Sequence, residues 1–308
     1  MIGAGPGGYT AAFLAADLGL RVTLIDEAPD PGGVCLYRGC MPSKALLHVA
    51  RVLTEARDAG EWGVSFAEPD IDLDRLRSWK NSVVSKLTAG LGQLTRQRNV
   101  DYLQGRASLV DARTVVVTMT DGSIREVPFD AGILATGSRP ARLAALSSEH
   151  DRILDSTSAL DVNQVPGRLL VIGGGYIGLE IGSVYAALGA AVTVVEMTST
   201  LLPGADADLV RVLSRRFGSV AAAIYLDTKV TRITADDEAV TVRLDGPDVA
   251  SGDQRFDQVL VAVGRVPNSE ISGLDQTAVD VDPRGFVGVD AQRRTAEPSL
   301  FAIGDLAG

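Results

Sequence analysis

Both cysteines of the chain lie in one short segment, GGVCLYRGCMPSK at residues 32–44, where four residues separate Cys35 from Cys40. Two thiols at this spacing could take part in redox chemistry or in metal binding. A structural zinc site needs about four ligands, and the chain offers only His48 and His150 besides the cysteines. Because neither histidine shows a ligand pattern, we expect no metal and interpret His48 as a packed or surface helix residue.

The residues after Cys40 favour the start of a helix. Pro42 suits a first helical turn, and the segment ALLHVARVLTEA at 45–56 is apolar at helical spacing. A thiolate at a helix N-terminus is stabilised by the helix dipole. We therefore expect Cys40 to be a persistent thiolate and Cys35 to be its more exposed partner.

The composition limits the classes of partner. The 308 residues carry a formal net charge of −10, and such a surface repels phosphate backbones, so we expect no nucleic-acid partner. No apolar run approaches the ~20 residues of a membrane helix, and no basic stretch precedes an apolar one at the start of the sequence. We therefore expect a cytoplasmic protein without a membrane partner, in which a disulfide would be catalytic or redox-sensing.

The chain contains an internal repeat. The segment GAGPGGYTAAFLAADLGLRVTLID begins at Gly3 and GGGYIGLEIGSVYAALGAAVTVVE begins at Gly173, an offset of 170 residues. In both copies a G-x-G-x-x-G turn opens a helix, which leads to a β-branched strand and an acidic residue. This order is typical of a dinucleotide-binding unit, in which the glycines let the backbone approach a pyrophosphate. The aligned glycines are Gly3, Gly5 and Gly8 in the first copy and Gly173, Gly175 and Gly178 in the second.

The acidic residue that ends each copy predicts which nucleotide binds. Asp26 and Glu196 each lie 18 positions after the third glycine of their turn, where a carboxylate accepts hydrogen bonds from ribose hydroxyls. No arginine follows Glu196 until Arg211, so a 2′-phosphate would be repelled and NAD is favoured over NADP. The first copy runs directly into the cysteine segment, so we expect its ligand to exchange electrons with the two thiols.

These copies predict an α/β fold with two Rossmann-like dinucleotide-binding domains, each with a parallel sheet and a small antiparallel meander. We expect residues 1–150 to form the first domain, with 273–308 returning to it, and residues 151–272 to form the second. Short strands are predicted around RTVVVTMT at 113–120 and QVLVAVG at 258–264. The stretch 141–166 is the least patterned and is the best candidate for a linker.

Four segments together resemble the flavoprotein disulfide reductases, namely GGVCLYRGCMPSKALLHVA (32–50), GGGYIGLE (173–180), VAVGRVPN (261–268) and FAIGDLAG (301–308). The resemblance extends over nearly the whole chain. It is strongest to the members that oxidise dihydrolipoamide, because a leucine follows Cys35 and PSKALL follows shortly after Cys40. Tyr37-Arg38 departs from the Asn-Val pair usual in the family, and Met41 replaces a usual isoleucine.

The resemblance implies FAD in the first dinucleotide site and NAD in the second. Lys44 would lie near the flavin ring and pair with Glu180, Asp305 would accept a hydrogen bond from the ribitol, and the backbone at Ala107 would meet the adenine. The residues implied for FAD are Gly3, Gly5, Gly8, Asp26, Gly33, Lys44, Ala107 and Asp305. Those implied for NAD are Gly173, Gly175, Gly178, Glu196, Val230, Gly264 and Arg265.

The resemblance also implies a catalytic set of Cys35, Cys40, Lys44 and Glu180. Cys35 and Cys40 would form a disulfide, in which Cys40 faces the flavin and Cys35 exchanges with lipoamide. The reaction would be dihydrolipoamide + NAD⁺ → lipoamide + NADH + H⁺. The implied partner is dihydrolipoamide or the lipoyl domain of a 2-oxoacid dehydrogenase complex, of which such an enzyme is one component.

Members of this family carry a further dimer-forming domain, in which a His-Glu pair of the partner subunit supplies a base for the thiols. Only Met1-Ile2 precedes the first glycine turn and the sequence ends soon after Asp305, so we expect this chain to lack that pair, whereas the full-length form would be a homodimer. Two alternatives stay open: another NAD(P)H-dependent disulfide reductase, and a nucleotide-binding fragment without turnover.

Overall fold

The computed structural model describes residues 1–142, 150–249 and 252–308. These residues divide into two compact units. The first unit contains 1–41, 82–139 and 265–308, and the second contains 42–81 and 140–264. Each unit therefore carries one copy of the glycine-turn repeat.

Helices predominate in the first third of the chain and strands in the rest. The α-helices are α1 (Pro6–Asp17), α2 (Gly33–Arg38), α3 (Cys40–Asp58), α4 (Leu73–Gln97), α5 (Tyr176–Leu188) and α6 (Ala207–Gly218). The strands are β1 (Thr23–Asp26), β2 (Asp101–Asp111), β3 (Thr114–Met119), β4 (Ile124–Pro128), β5 (Gly132–Leu134), β6 (Ser138–Pro140), β7 (Ile153–Leu154), β8 (Arg168–Ile172), β9 (Ala191–Val195), β10 (Ala223–Tyr225), β11 (Lys229–Ala235), β12 (Val240–Asp245), β13 (Asp253–Phe256), β14 (Gln258–Val261), β15 (Arg265–Pro267) and β16 (Leu300–Ala302). Within the described ranges, no helix combines the length and the apolar character needed to cross a membrane.

The first unit is built on parallel strand pairs beside the first glycine turn. β1 pairs in parallel with β2, and β16 pairs in parallel with β5. Ile2 joins the two pairs through single parallel bridges to Ile25 and Leu134. The later half of β2 pairs antiparallel with β3, and β3 pairs with β4, so a meander extends from the same sheet. Ala12 of α1 and Leu24 of β1 are fully buried in the core between helix and sheet.

The second unit contains a parallel five-stranded sheet in the order β10-β9-β8-β14-β7. Strands β8 and β9 are nearly continuous apolar runs, as expected for parallel strands covered on both faces. Leu169 and Val171 of β8 are fully buried in one cluster with Leu179 and Val184 of α5. Strands β11, β12 and β13 form a separate antiparallel meander. The predicted fold, Rossmann-like parallel sheets with small meanders, is thus confirmed.

The compact units differ from the predicted domain bounds at three places. The second unit resumes at Pro140 and not at residue 151. Residues 42–81 lie in the second unit, because Leu46 and Ala50 of α3 are buried in the same cluster as Val171 and Leu179. The return to the first unit begins at Arg265 and not at residue 273. Which unit binds which nucleotide stays a prediction.

Part of the predicted linker at 141–166 has regular structure. Its residues 143–149 lie outside the described part of the chain. Beyond them, β7 pairs in parallel with β14 at the edge of the five-stranded sheet. Next comes a 3₁₀ helix at Ser158–Asp161, where Tyr185 Oη donates to the carbonyl of Ala159 at 2.8 Å. The sequence pattern missed this order because the stabilising partners lie far along the chain.

Candidate active site

The first glycine turn needs two of its three glycines for the fold itself. Gly3 has φ of +97°, and a Cβ there would lie 2.3 Å from the carbonyl oxygen of Ala135. A Cβ on Gly8 would lie 1.9 Å from the carbonyl oxygen of Gly3. Real Cβ atoms do not approach backbone oxygens so closely, so Gly3 and Gly8 let α1 pack against the strands.

Gly5, the middle glycine of this turn, has no such structural reason. Its φ of −69° and ψ of −177° suit any residue, and the nearest atom to a Cβ there is Gly33 Cα, at 3.9 Å. A glycine at this position instead keeps the backbone open at the N-terminus of α1, where amide groups and the helix dipole favour an anion. This geometry fits a dinucleotide pyrophosphate.

The second glycine turn repeats the pattern. A Cβ on Gly173 would lie 2.4 Å from the carbonyl oxygen of Ala262, and one on Gly178 would lie 2.3 Å from that of Gly173. At Gly175 φ is −76°, and a Cβ would meet no atom of the described residues within 4 Å beyond its own neighbours and helix backbone. Both turns therefore combine two structural glycines with one that leaves room for a ligand.

The two carboxylates predicted to hold ribose also fasten the turns. Asp26 accepts hydrogen bonds from the backbone amides of Ala4 at 2.7 Å and Ala28 at 2.9 Å. Glu196 accepts from the corresponding amides, Gly174 at 2.6 Å and Thr198 at 2.8 Å. Thr198 Oγ1 also donates to Glu196 Oε1 at 3.0 Å, so a ribose hydroxyl would use the second lone-pair direction of Glu196 Oε2 or of either Asp26 oxygen. Asp26 and Glu196 therefore stabilise their turns through the same pair of hydrogen bonds, in addition to the predicted role in binding ribose.

Both cysteines lie at helix positions and near disulfide distance from each other. Cys35 lies within the short helix α2, where a turn was expected, and Cys40 begins α3, with Pro42 in its first turn as predicted. Cys35 is half-buried whereas Cys40 is exposed, so the prediction that Cys35 is the more exposed thiol is wrong. The helix that bears Cys35 packs on the first glycine turn, with Gly33 against Gly5, whereas Cys40 begins the next helix. Burial first, and then Cys35, raise the pKa of the Tyr9 phenol.

The cysteine helix packs directly on the first glycine turn. The amide of Gly32 donates to the carbonyl of Ala4 at 2.8 Å. A Cβ on Gly33, whose φ is +56°, would lie 2.5 Å from Gly5 Cα, so only glycine permits this approach. The Tyr37 hydroxyl donates to the carbonyl of Asp30 at 3.0 Å and ties the other end of α2 to the loop after β1. Helix α2, which bears Cys35, is thus fixed to the first glycine turn.

Lys44 and Glu180 meet, as predicted, although Lys44 was expected in the first domain and lies in the second unit. Lys44 Nζ lies 2.8 and 2.9 Å from the two carboxylate oxygens of Glu180. Ser43 Oγ donates to the same carboxylate at 3.1 Å. Ser43 was not among the predicted site residues, although its position beside Lys44 in the PSK segment could have indicated it. Two donors from α3 therefore orient one acidic side chain of α5.

Asp305 and Arg265 both form hydrogen bonds with Ser138, and this places Arg265 away from the NAD site for which it was predicted. Asp305 lies in a 3₁₀ helix at Gly304–Leu306, and its Oδ2 accepts from Ser138 Oγ at 2.5 Å. Arg265 Nε donates to the same serine hydroxyl at 2.7 Å. Arg265 was predicted for NAD and Asp305 for FAD, yet both lie in the first unit. Ser138 was missed because a serine in an ATGS turn has no distinctive periodicity.

The remaining predicted residues lie in regular structure. Ala107 is in β2 and pairs with Val117 of β3. Val230 is in β11 and packs against the core of the second unit. Gly264 follows β14 with φ of +126°, and its carbonyl accepts from the amide of Ala141 at 3.0 Å. Val230 and Gly264 thus belong to the unit of the second glycine turn, and their ligand roles stay predictions.

His48 lies on α3 one turn after Lys44 and is exposed. Its ring centroid lies 6.5 Å from that of Trp79, with the planes tilted by 33°. This placement agrees with the prediction of a packed or surface helix residue.

Residues 1–308, the whole chain, match the sequence family described as pyridine nucleotide-disulphide oxidoreductase. The chain belongs to this family.

Curated relatives support a more specific likeness. The chain is 46% identical over 308 residues to a dihydrolipoyl dehydrogenase from Haemophilus influenzae and 40% identical over 309 residues to one from Geobacillus stearothermophilus. It is covered at 100% and 99% in these matches but spans only 64% of each relative. Among solved structures, LpdA from Mycobacterium tuberculosis matches with a TM-score of 0.90 and 28% identity, covering 100% of this chain and 67% of that one. The flavoprotein disulfide reductase RclA from Escherichia coli, in its Cu(II) complex, matches with a TM-score of 0.84 and 27% identity, covering 99% and 65%.

Dihydrolipoyl dehydrogenases and flavoprotein disulfide reductases of this family use FAD and NAD(H). The two open glycines, Gly5 and Gly175, each at the N-terminus of a helix, fit the pyrophosphates of these two dinucleotides. The residues of this pyridine nucleotide-disulphide oxidoreductase therefore suit both cofactors.

Proposed function

We propose that the protein oxidises dihydrolipoamide with NAD⁺, using a redox-active disulfide between Cys35 and Cys40. The reaction is dihydrolipoamide + NAD⁺ → lipoamide + NADH + H⁺. One observation carries the proposal: helix α2, which bears Cys35, packs on the first glycine turn, with Gly33 against Gly5. A thiol pair fixed to a dinucleotide-binding turn is suited to exchange electrons with the nucleotide bound there.

FAD is proposed for the first unit and NAD for the second. In the first unit Gly5 would admit the pyrophosphate, Asp26 would bind ribose and Asp305 would bind ribitol. FAD, when bound, would supply the two-electron chemistry that links a dithiol to a nicotinamide. In the second unit Gly175 would admit the pyrophosphate of NAD and Glu196 would bind its ribose. The carboxylate of Glu196 would also repel the 2′-phosphate of NADP.

The cysteines would act by thiol–disulfide exchange. A thiolate of dihydrolipoamide attacks the sulfur of Cys35, a mixed disulfide forms, and Cys40 leaves as a thiolate. The second substrate thiolate then attacks the mixed disulfide, so that lipoamide leaves and Cys35 becomes a thiolate. The position of Cys40 at the start of α3 supports its role as leaving group, because the helix dipole stabilises a thiolate there.

The other proposed parts follow from the family likeness. Lys44 and Glu180 would complete the catalytic set and act on FAD. The partner would be free dihydrolipoamide or the lipoyl domain of a 2-oxoacid dehydrogenase complex, and the full-length form would be a homodimer. The names of the relatives, at 46% and 40% identity, support this substrate.

A spectroscopic test uses the chain with FAD and three forms of the cysteine pair. After reduction by one equivalent of NADH, we expect a long-wavelength charge-transfer band between the Cys40 thiolate and the flavin. Cys35→Ser should show this band without NADH, since Cys40 can then no longer form the disulfide, whereas Cys40→Ser should never show it. Binding of FAD is measured separately from its fluorescence.

The outcomes separate the candidates. A band that survives Cys40→Ser overturns the assignment of Cys40. Failure to bind FAD identifies a nucleotide-binding fragment of another kind. A band with normal FAD binding, but with reduction of other disulfides and none of lipoamide by the full-length protein, identifies another disulfide reductase of the family.

A further inference from the structure

A buried serine links two charged side chains in the first unit. Ser138 of β6 is only 4% exposed. Its hydroxyl lies 2.5 Å from Asp305 Oδ2 and 2.7 Å from Arg265 Nε. Arg265 also donates through its other guanidinium nitrogen to the carbonyl of Ser138. The three residues come from separate parts of the polypeptide and are joined in one hydrogen-bond network.

The direction of each hydrogen bond follows from chemistry. A guanidinium N–H can only donate, so Ser138 Oγ must accept from Arg265. The hydroxyl has a single proton, and a carboxylate can only accept, so that proton is directed to Asp305 Oδ2. Arg265 thus fixes the hydroxyl rotor of Ser138, and Ser138 fixes one oxygen of Asp305. Hydrogen bonds to a charged group of this kind are stronger than neutral ones.

Strands β6 and β15, which carry Ser138 and Arg265, pair with each other, and side-chain hydrogen bonds converge on Asn268 just after the end of β15. Thr136 Oγ1 donates to the carbonyl of Asn268 at 2.7 Å, and Asn268 Nδ2 donates back to the carbonyl of Thr136 at 2.9 Å. Arg139 adds a hydrogen bond to Asn268 Oδ1 at 3.2 Å. Strands β6 and β15 therefore form a firm support for Ser138 and Arg265.

The other oxygen of Asp305 is left for a ligand. The Asp305 side chain is 64% exposed, and its Oδ1 has no hydrogen-bond partner among residues 1–142, 150–249 and 252–308. Arg265 is only 20% exposed, with Nε 4.0 Å from Asp305 Oδ2. One oxygen is thus fixed from within the protein while the second points to solvent or to a bound group.

We propose that Ser138 and Arg265 are positioning residues for FAD: they orient Asp305 so that its second oxygen accepts a hydrogen bond from a ribitol hydroxyl. This inference rests on the proposed function, in which Asp305 binds FAD. It moves Arg265 from the NAD site to the FAD site, because its hydrogen-bond partners belong to the first unit.

The test measures FAD and NADH binding separately on the chain. Ser138→Ala and Arg265→Gln should each raise the FAD dissociation constant about three- to tenfold, the loss expected for one hydrogen bond, with NADH binding unchanged. Ser138→Thr keeps the hydroxyl and should restore FAD binding. Ser123→Ala is the matched control, since Ser123 Oγ donates to Asp121 at 2.6 Å in the same unit and should leave FAD binding unchanged.

A double-mutant cycle separates positioning from a general structural role. In an Asp305→Ala background, Ser138→Ala should have no further effect on FAD binding, because its only route to the ligand is gone. Thermal unfolding of each variant without nucleotide checks that the chain still folds. Full additivity in the cycle, or an Arg265→Gln variant that loses NADH binding and keeps FAD binding, would overturn the inference. An unsubstituted chain that binds no FAD would instead overturn the proposed function on which it rests.

Discussion

Lys44 Nζ lies within 2.9 Å of both carboxylate oxygens of Glu180, although 136 residues separate the two in sequence. The lysine comes from α3 and the carboxylate from α5, both in the second unit. Their side chains are 54% and 31% exposed, and ion pairs as accessible as this contribute ~0–1 kcal/mol to stability because water and salt screen them. Stability alone therefore gives little reason for the contact.

Glu180→Gln should show whether the Lys44–Glu180 pair acts on stability or on the reduction of FAD. We expect the free energy of unfolding in urea to change by less than ~1 kcal/mol, since the amide still accepts a hydrogen bond from Lys44. Reduction of bound FAD by NADH, followed in a stopped-flow spectrophotometer, should slow about tenfold or more, since the charge that balances Lys44 is lost.

Glu55→Gln is the matched control for that variant. Glu55 pairs with Arg51 at 2.7 Å on the same helix α3, and its loss should leave both measurements unchanged. A Glu180→Gln variant that is strongly destabilised while flavin reduction keeps its rate would show that the pair is structural.

The glycine pattern and the long-range pair were predictable, whereas local exposure was not. The G-x-G-x-x-G spacing is visible in the sequence because sterics require glycine there: Gly8 approaches the carbonyl of Gly3 too closely for any side chain. The half-burial of Cys35 is a tertiary property of α2, which packs on the first glycine turn, and no periodicity encodes it. The contact of Arg265 with Ser138 spans 127 residues and joins two short strands with no pattern of their own. Contacts of this kind are set by tertiary packing.

The middle and last glycines of each turn predict opposite effects of alanine. For Gly5→Ala, the methyl meets nothing closer than 3.9 Å. The free energy of unfolding without nucleotide should therefore change by less than ~1 kcal/mol. The methyl would enter the approach to the pyrophosphate, so FAD binding should weaken at least about tenfold. Gly8→Ala, with a contact of 1.9 Å, should instead destabilise the chain by ~1–3 kcal/mol.

The second turn supplies the matching pair for NADH. Gly175→Ala should weaken NADH binding with little change in stability, and Gly178→Ala should destabilise, since its Cβ would lie 2.3 Å from a carbonyl oxygen. Isothermal titration with NADH and urea unfolding measure the two effects. Equal stability losses for Gly5→Ala and Gly8→Ala would refute a ligand-based reason for the middle glycine.

Glu196 should set the preference for NAD, but its removal also loosens the second turn. The carboxylate is only 8% exposed and accepts from the amides of Gly174 and Thr198. Glu196→Ala leaves these buried amides unsatisfied and should cost about 1–3 kcal/mol of stability. Alanine alone is therefore a poor test of cofactor choice.

A better test removes the charge but keeps an acceptor: glutamine has one amide oxygen, which can still accept from one of the two backbone amides. Glu196→Gln with Met197→Arg, at a position 64% exposed, should shift the ratio of NADH to NADPH efficiency towards NADPH by about tenfold or more. Steady-state reduction of an artificial electron acceptor measures it. Thr198→Val removes one hydrogen bond to Glu196 at 3.0 Å without changing charge, and should leave the preference as it is. Equal use of NADH and NADPH by the unsubstituted chain would contradict the role of Glu196.

Lys80 predicts a pH dependence of stability in the second unit. Its side chain is only 5% exposed, and Nζ donates to the carbonyl of Leu160 at 2.7 Å, with Asp161 at 3.8 Å. Burial lowers the pKa of Lys80 below its usual value, and this outweighs the opposing attraction of Asp161. Between the folded and unfolded pKa the unfolded chain binds more protons than the folded chain. The free energy of unfolding therefore rises with pH in that window.

Lys80→Met isolates this contribution. The stability of the unsubstituted chain minus that of Lys80→Met should grow as pH rises from ~8 to ~10.5, the range below the unfolded pKa of lysine, and urea unfolding at several pH values measures it. Lys86→Met on the same helix α4, where the side chain is exposed, should differ from the unsubstituted chain by a constant amount. If the difference in free energy of unfolding between the unsubstituted chain and Lys80→Met shrinks or stays constant as pH rises, the pKa of Lys80 is not lowered in the folded protein.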